Sequence, residues 1–279
     1  SVETPIEERG LWMWSSGSAP IRYPGGVIDL IEFIATSVDN RIIVVYESGD
    51  VLIRWNDIWK KFDILPNQLK NILAVGFRAN GDLWVGTEDG LYIHRSTSQL
   101  WTHWKQEETS FRNRVDEILV TSDETVWLGT DGGIEIRHSD ETVEWIDHIG
   151  ETKLSIVTGL AEDVEGDVWV SSGAQGLGAH RWDGNSWEHF GPDQGLAASK
   201  IHRIYPDLRG DLWFLGLDPA GEQTSRGKSA VYVYRDGKFS QFSLEGILGE
   251  GRVYTFAERS DGTIWFGTLF GLSRLQDGV

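Results

Sequence analysis

The sequence predicts an all-β fold, a six-bladed β-propeller of four-stranded antiparallel blades. Three observations carry that prediction: a unit recurring about every 42 residues, a Trp among apolar residues within each unit, and turn residues that divide each unit into short strands. The segments GDLWVGTEDGLYIHR (81–95), ETVWLGTDGGIEIRH (124–138), GDVWVSSGAQGLGAHR (166–181), GDLWFLGL (210–217) and GTIWFGTLFGLSRL (262–275) share one order of residue types. NRIIVVYESGDVLIRW (40–55) is a degenerate further copy. With Ile43 placed where the others carry Trp84, Trp127, Trp169, Trp213 and Trp265, the spacings are 41, 43, 42, 44 and 52 residues.

Within each unit, Gly, Asp and Asn turns separate four strands, the alternation expected of antiparallel β structure. In the copy around Trp169 these read VTGLAED, DVWVSS, LGAHRW and SWEHF. The first two are apolar at nearly every position, which fits strands covered on both faces by neighbouring blades. The third and fourth alternate more clearly and carry His, Arg, Lys and Glu, so they belong further out. A small residue after the Trp (Gly86, Gly129, Ser171, Gly216, Gly267) is expected to let an aromatic side chain of the next blade approach closely.

The ends predict closure within a single domain. The last copy has the strands VYTFAE, TIWFGT and GLSRL but no fourth before Val279. Residues 1–26 supply a closing strand and its link: Leu11 and Trp14 in GLWMWSSG repeat the three-residue spacing of Trp101/Trp104, Trp187/Phe190 and Phe239/Phe242. Such a strand completes the last blade and removes an exposed edge. IRYPGG (21–26) is the other candidate for the closing strand, and a seventh, partial blade from residues 9–23 is the alternative count.

The pattern W-[VLF]-G-T-x-x-G-[LI] resembles the two-component regulator propeller repeat. It is carried by Trp84/Gly86/Thr87/Gly90, Trp127/Gly129/Thr130/Gly133 and Trp265/Gly267/Thr268/Gly271, and less fully by the copies at Trp169 and Trp213. The resemblance covers residues 28–275. It implies a sensor or recognition module of bacterial type, as in the extracytoplasmic regions of hybrid histidine kinases. The chain departs from that pattern in having six repeats where such sensors typically build seven blades, and no immunoglobulin-like domain, membrane span or kinase follows. It is therefore expected to be a stand-alone relative or an excised piece, periplasmic or extracellular.

Composition narrows the function classes. The 279 residues include 43 Asp plus Glu against 25 Lys plus Arg, a net charge of −18, which argues against a general nucleic-acid binder. No apolar run approaches the roughly 18 residues of a membrane span, and SVETPIEERG lacks the regions of a signal peptide. The absence of cysteine excludes disulfides, thiolate catalysis and Cys-ligated metals.

No motif demands an enzyme. His94, His138 and His180 fall on third strands and His103 and His189 on fourth strands, which points to packing; no HxH or HExxH spacing indicates zinc, and no cofactor is expected. The acidic hairpins AEDVEGDVW (161–169) and SDGTIW (260–265) sit where first strands turn into second strands, so turn chemistry accounts for them.

Blade geometry places the second-to-third turns and the interblade links on one face, around the central channel. The links carry Lys70, Asn71, Arg112, Arg114, Lys153, Lys200 and Arg252; the facing turns carry Tyr46, Glu88, Asp131, Gln175 and Phe270. This rim is expected to bind a small polar or anionic ligand, an oligosaccharide foremost, without catalysis. Pairing of these opposite charges for solubility is the plainer reading. A protein-interaction scaffold and a propeller lyase or hydrolase are the other two functions weighed. The turn GLDPAGEQTSRGKSA (216–230) is about ten residues longer than its counterparts and lies on the same face, either as a lid or as loose decoration.

Overall fold

The computed structural model describes residues 12–13, 21–22, 31–36, 42–46, 48, 50–55, 58–61, 71–104, 114–172, 178–217, 229–243, 252–259, 261–268 and 271–275. The two strands β1 (Trp12–Met13) and β2 (Ile21–Arg22) pair with each other first. Six sheets follow, one per repeat, and they make the fold a six-bladed β-propeller. Blade 1 contains β3 (Ile31–Thr36), β4 (Ile42–Tyr46), β5 (Val51–Trp55) and β6 (Ile58–Lys61); blade 2 contains β7 (Ile72–Phe77), β8 (Leu83–Thr87), β9 (Gly90–His94) and β10 (Trp101–Trp104). Blade 3 contains β11 (Val115–Val120), β12 (Val126–Thr130), β13 (Ile134–Arg137) and β14 (Val143–Ile146). The link after it forms a ribbon of β15 (His148–Ile149) and β16 (Thr152–Lys153). Blade 4 contains β17 (Val157–Glu162), β18 (Val168–Ser172), β19 (Ala179–Trp182) and β20 (Trp187–Phe190), and a 3₁₀ turn at Pro192–Gln194 leads out of it. Blade 5 contains β21 (Ser199–Pro206), β22 (Leu212–Leu217), β23 (Ser229–Arg235) and β24 (Lys238–Phe242); blade 6 contains β25 (Val253–Glu258), β26 (Ile264–Thr268) and β27 (Gly271–Leu275). No helix among the described residues is long and apolar enough to cross a membrane.

Two compact units divide the chain. One comprises residues 1–109 with 113–115, and the other 110–112 with 116–279. The closing strand is not formed among the described residues. Trp12 and Met13 pair with Arg22 and Ile21, and β27 ends a three-stranded sheet; Leu11 and Trp14 lie outside the described residues.

Burial follows the predicted gradient. Every residue of β8, β12 and β18 is buried, whereas β10 and β14 are largely exposed. Between blades 4 and 5, Trp169 is wholly buried against Phe190, Phe214, Tyr234 and Phe239, with ring centres 4.7–6.1 Å away. Its indole N–H donates to Asp163 Oδ2 at 2.7 Å, and Trp213 donates likewise to Asp207 Oδ2 at 3.1 Å. The same carboxylates accept the backbone N–H groups of Asp167 and Asp211, so the acidic hairpins around them are held by turn chemistry. Neighbouring blades also clasp each other's turns: Glu162 accepts from the Ser122 N–H at 2.7 Å, and Glu258 from the Leu208 N–H at 2.6 Å.

The glycines two places after Trp84 and Trp127 meet backbone rather than an aromatic ring. A Cβ on Gly129 would lie 2.6 Å from the Val157 carbonyl oxygen, and one on Gly86 2.7 Å from that of Val115. In blade 5 the residue two after the Trp is Leu215, fully buried, and Gly216 is one place further on. In the Trp84 and Trp127 copies the close approach is between the second strand of one blade and the first strand of the next.

The first strands of successive blades touch, β17 with β21 and β21 with β25. Each carries a register shift near its start, between Val157 and Gly159, Ser199 and Arg203, and Val253 and Thr255. Bulges of this kind re-aim side chains.

Candidate functional site

The rim expectation divides by unit. In the first unit, Glu88 accepts a hydrogen bond from Asn71 Nδ2 at 2.7 Å and lies 3.5 Å from Arg114 Nη1. Three predicted residues therefore meet, but in exposed charge pairing. Tyr46 is wholly buried beside Val44 and Leu52, which takes it off the rim: it ends the covered strand β4 and belongs to the core. In the second unit, Asp131 is half-buried, Lys153 lies exposed on β16, and Lys200 is exposed at the start of β21 with φ +48°. A non-glycine residue in that left-handed region carries strain of about 1 kcal/mol or more. Lys70, Arg112, Gln175, Phe270 and residues 218–228 of the long turn lie outside the described residues.

A more concentrated site lies on the first strands of the second unit. The strand registers make Gly159, Arg203 and Thr255 equivalent, paired with Ser171, Leu215 and Gly267, and Glu117 holds the same place as third residue of β11. Arg203 reaches from blade 5 past the backbone of blade 4 toward blade 3. Its Nη1 donates to the Thr158 carbonyl at 2.7 Å and lies 3.0 Å from Glu117 Oε2. About a quarter of the Glu117 side chain is exposed. Burial pushes its carboxyl up to about 7, against the opposing pull of Arg203.

A basic group adjoins this pair. His202 Nε2 bonds the Val253 carbonyl at 3.1 Å. Burial lowers the His202 pKa, and the positive charges of Arg203 and Arg252 lower it further. Tyr205 contacts Thr255 Oγ1 at 3.4 Å and stacks on Phe256. A carboxyl that titrates near neutrality thus stands beside a fixed guanidinium, with Arg252 and His202 alongside. This arrangement suits recognition of an anionic or hydroxyl-rich group and can also move a proton.

The sequence pointed to Arg252 and Lys200 but not to Glu117, Arg203 and His202, which lie on first strands. The signal lay in one column of the aligned repeats: Glu117 and Arg203 are charged where other copies carry Ala74, Gly159 and Thr255.

The fold is a β-propeller, and this site places charged side chains on its first strands. The two-component regulator propeller model matches residues 247–270, so the resemblance borne by the repeats is to that family. No curated protein sequence matches the chain significantly. Among solved structures, the extracellular domain of the hybrid two component system BT3049 from B. thetaiotaomicron superposes with a TM-score of 0.70 at 16% identity, over 98% of this chain and 38% of that one. The corresponding domain of BT4673 from the same organism gives 0.60 at 14% identity, over 95% and 39%. Virginiamycin B lyase from Staphylococcus aureus gives 0.70 at 13% identity, over 97% and 88%. The chain spans about two fifths of the two B. thetaiotaomicron domains, and at these identities the likeness is one of fold.

Proposed function

We propose that this chain is a non-enzymatic, sensor-type recognition propeller that binds a small polar or anionic ligand, foremost a uronate-bearing oligosaccharide, at the channel mouth. The observation that carries the reading is Arg203, held across blade 4 beside Glu117, with His202 and Arg252 adjoining. Arg203 supplies directed donors and a permanent charge, and Lys200 adds a second charge on the same strand. The extracellular domains among the structural relatives support a periplasmic or extracellular location.

A thermal-shift panel of acidic and neutral oligosaccharides tests it, since a ligand at about 100 times its Kd adds about 2.7 kcal/mol. The expected result is a shift with acidic members that is lost in Arg203→Met and weakened in Arg252→Ala. No shift with any acidic member, or an equal shift in Arg203→Met, contradicts the proposal.

Glu117 favours a second reading, a propeller lyase or hydrolase. A carboxyl near neutrality is matched to general acid or base work. On that reading Glu117→Gln abolishes turnover of a bound ligand and leaves its affinity in place; binding without turnover in the unmodified protein removes it.

A further inference from the structure

A second feature of the same unit lies on the outer strands of blade 4, away from the residues of the proposed recognition site. A cavity of about 660 Å³ is bordered by Thr152 from the β15–β16 ribbon, His180 from β19, Trp187, Glu188 and His189 from β20, and Pro192. His180 and His189 are direct partners in the antiparallel register, with ring centres 4.9 Å apart. His180 is 95% buried and borders the cavity.

Blades 2 and 5 differ at this place. Tyr92 occupies the equivalent third-strand place in blade 2 and stacks flat on His103 at 4.0 Å. Tyr232 holds the place in blade 5, opposite Gln241. Only in blade 4, among these three, does a smaller ring with a lone pair stand there, facing a second imidazole.

We propose that His180 and His189 hold a first-row transition-metal ion, Cu²⁺ or Zn²⁺, with cavity water completing its coordination. Two imidazoles on one ion, with metal–nitrogen bonds of about 2.0–2.1 Å, put their ring centres roughly 5 Å apart at a near-tetrahedral angle. The observed spacing fits. Imidazole is a preferred ligand of both ions. Arg181 engages the Glu188 carboxylate at 2.6 Å, so that group contributes negative potential rather than a bond to the ion. A net charge of −18 further favours a cation. Sequence spacing could not reveal the pair, because its members lie nine residues apart on two strands and meet only through the hairpin register.

Calorimetric titration with CuCl₂ and with ZnCl₂, paired with quenching of Trp187 fluorescence by Cu²⁺, tests the proposal. The unmodified protein should show one saturable site. Either His180→Asn or His189→Asn should weaken it by on the order of tenfold or more. His180→Tyr, which restores the residue of blades 2 and 5, should remove the site while leaving the melting temperature in place, and so separates metal binding from folding. Binding that fails to saturate, or equal binding in His189→Asn and the unmodified protein, means an adventitious ion only and overturns the proposal. Acidic-oligosaccharide binding should persist in His180→Tyr, so this test and that of the inner-strand site fail independently.

Discussion

Two Glu–Arg pairs, one in each compact unit, show how place in a blade sets chemistry. Glu88 and Arg114 lie 3.5 Å apart with 49% and 39% of their side chains exposed, on a turn and a link. Glu117 and Arg203 lie 3.0 Å apart on first strands, covered by the blades around them. The first pair sits in water, where such contacts contribute about 0–1 kcal/mol. The second has lost much of its hydration, so its carboxyl holds a proton to about pH 7 and each partner depends on the other. The same residue types thus give a solvated surface in one place and a reactive site in the other.

Breaking the covered pair on one side has the largest expected effect. Arg203→Met leaves the Glu117 carboxyl without its counter-charge and should lower stability at pH 8 by about 2–3 kcal/mol, somewhat under the figure for a fully buried pair. Urea unfolding measures it, and the double variant with Glu117→Gln should recover most of the loss. Next comes blade contact. Gly129→Ala drives a Cβ toward the Val157 carbonyl, which is backbone and cannot rotate away, and should cost about 1–3 kcal/mol in the same assay.

The pH response sharpens the comparison. The folded chain holds the Glu117 proton up to about pH 7, whereas the unfolded chain releases it near 4.5. The folded state binds more protons across that window, so this group makes stability fall as pH rises through it. Glu117→Gln should flatten that part of the melting-temperature profile; an unchanged slope would show that the fall arises elsewhere. The smallest effect belongs to the exposed pair: Glu88→Gln should change stability by no more than about 0.5 kcal/mol.

The blade repeat was legible because packing imposes it on every copy: Trp169 and Trp213 need covered strands, and Asp163 and Asp207 need their turns. The site was legible only in part. Arg252 and Lys200 stood out as basic residues on links, but Glu117 and Arg203 meet past the Thr158 carbonyl, a relation across three blades. Tyr46 misled for the opposite reason: a polar aromatic beside a turn can point into the core. The histidines show a third limit. His94 and His180 share a third-strand label, yet the register sets His180 level with Tyr92, which strand counting alone does not reveal.

Carbon-detected NMR of side-chain carboxyls, with Glu117 assigned by its loss in Glu117→Gln, tests most directly whether place in the blade makes the site. A midpoint near pH 7 for Glu117 is the predicted result. A midpoint in the ordinary glutamate range near 4.5 would contradict the account, because the carboxyl would then be as well solvated as one on the rim.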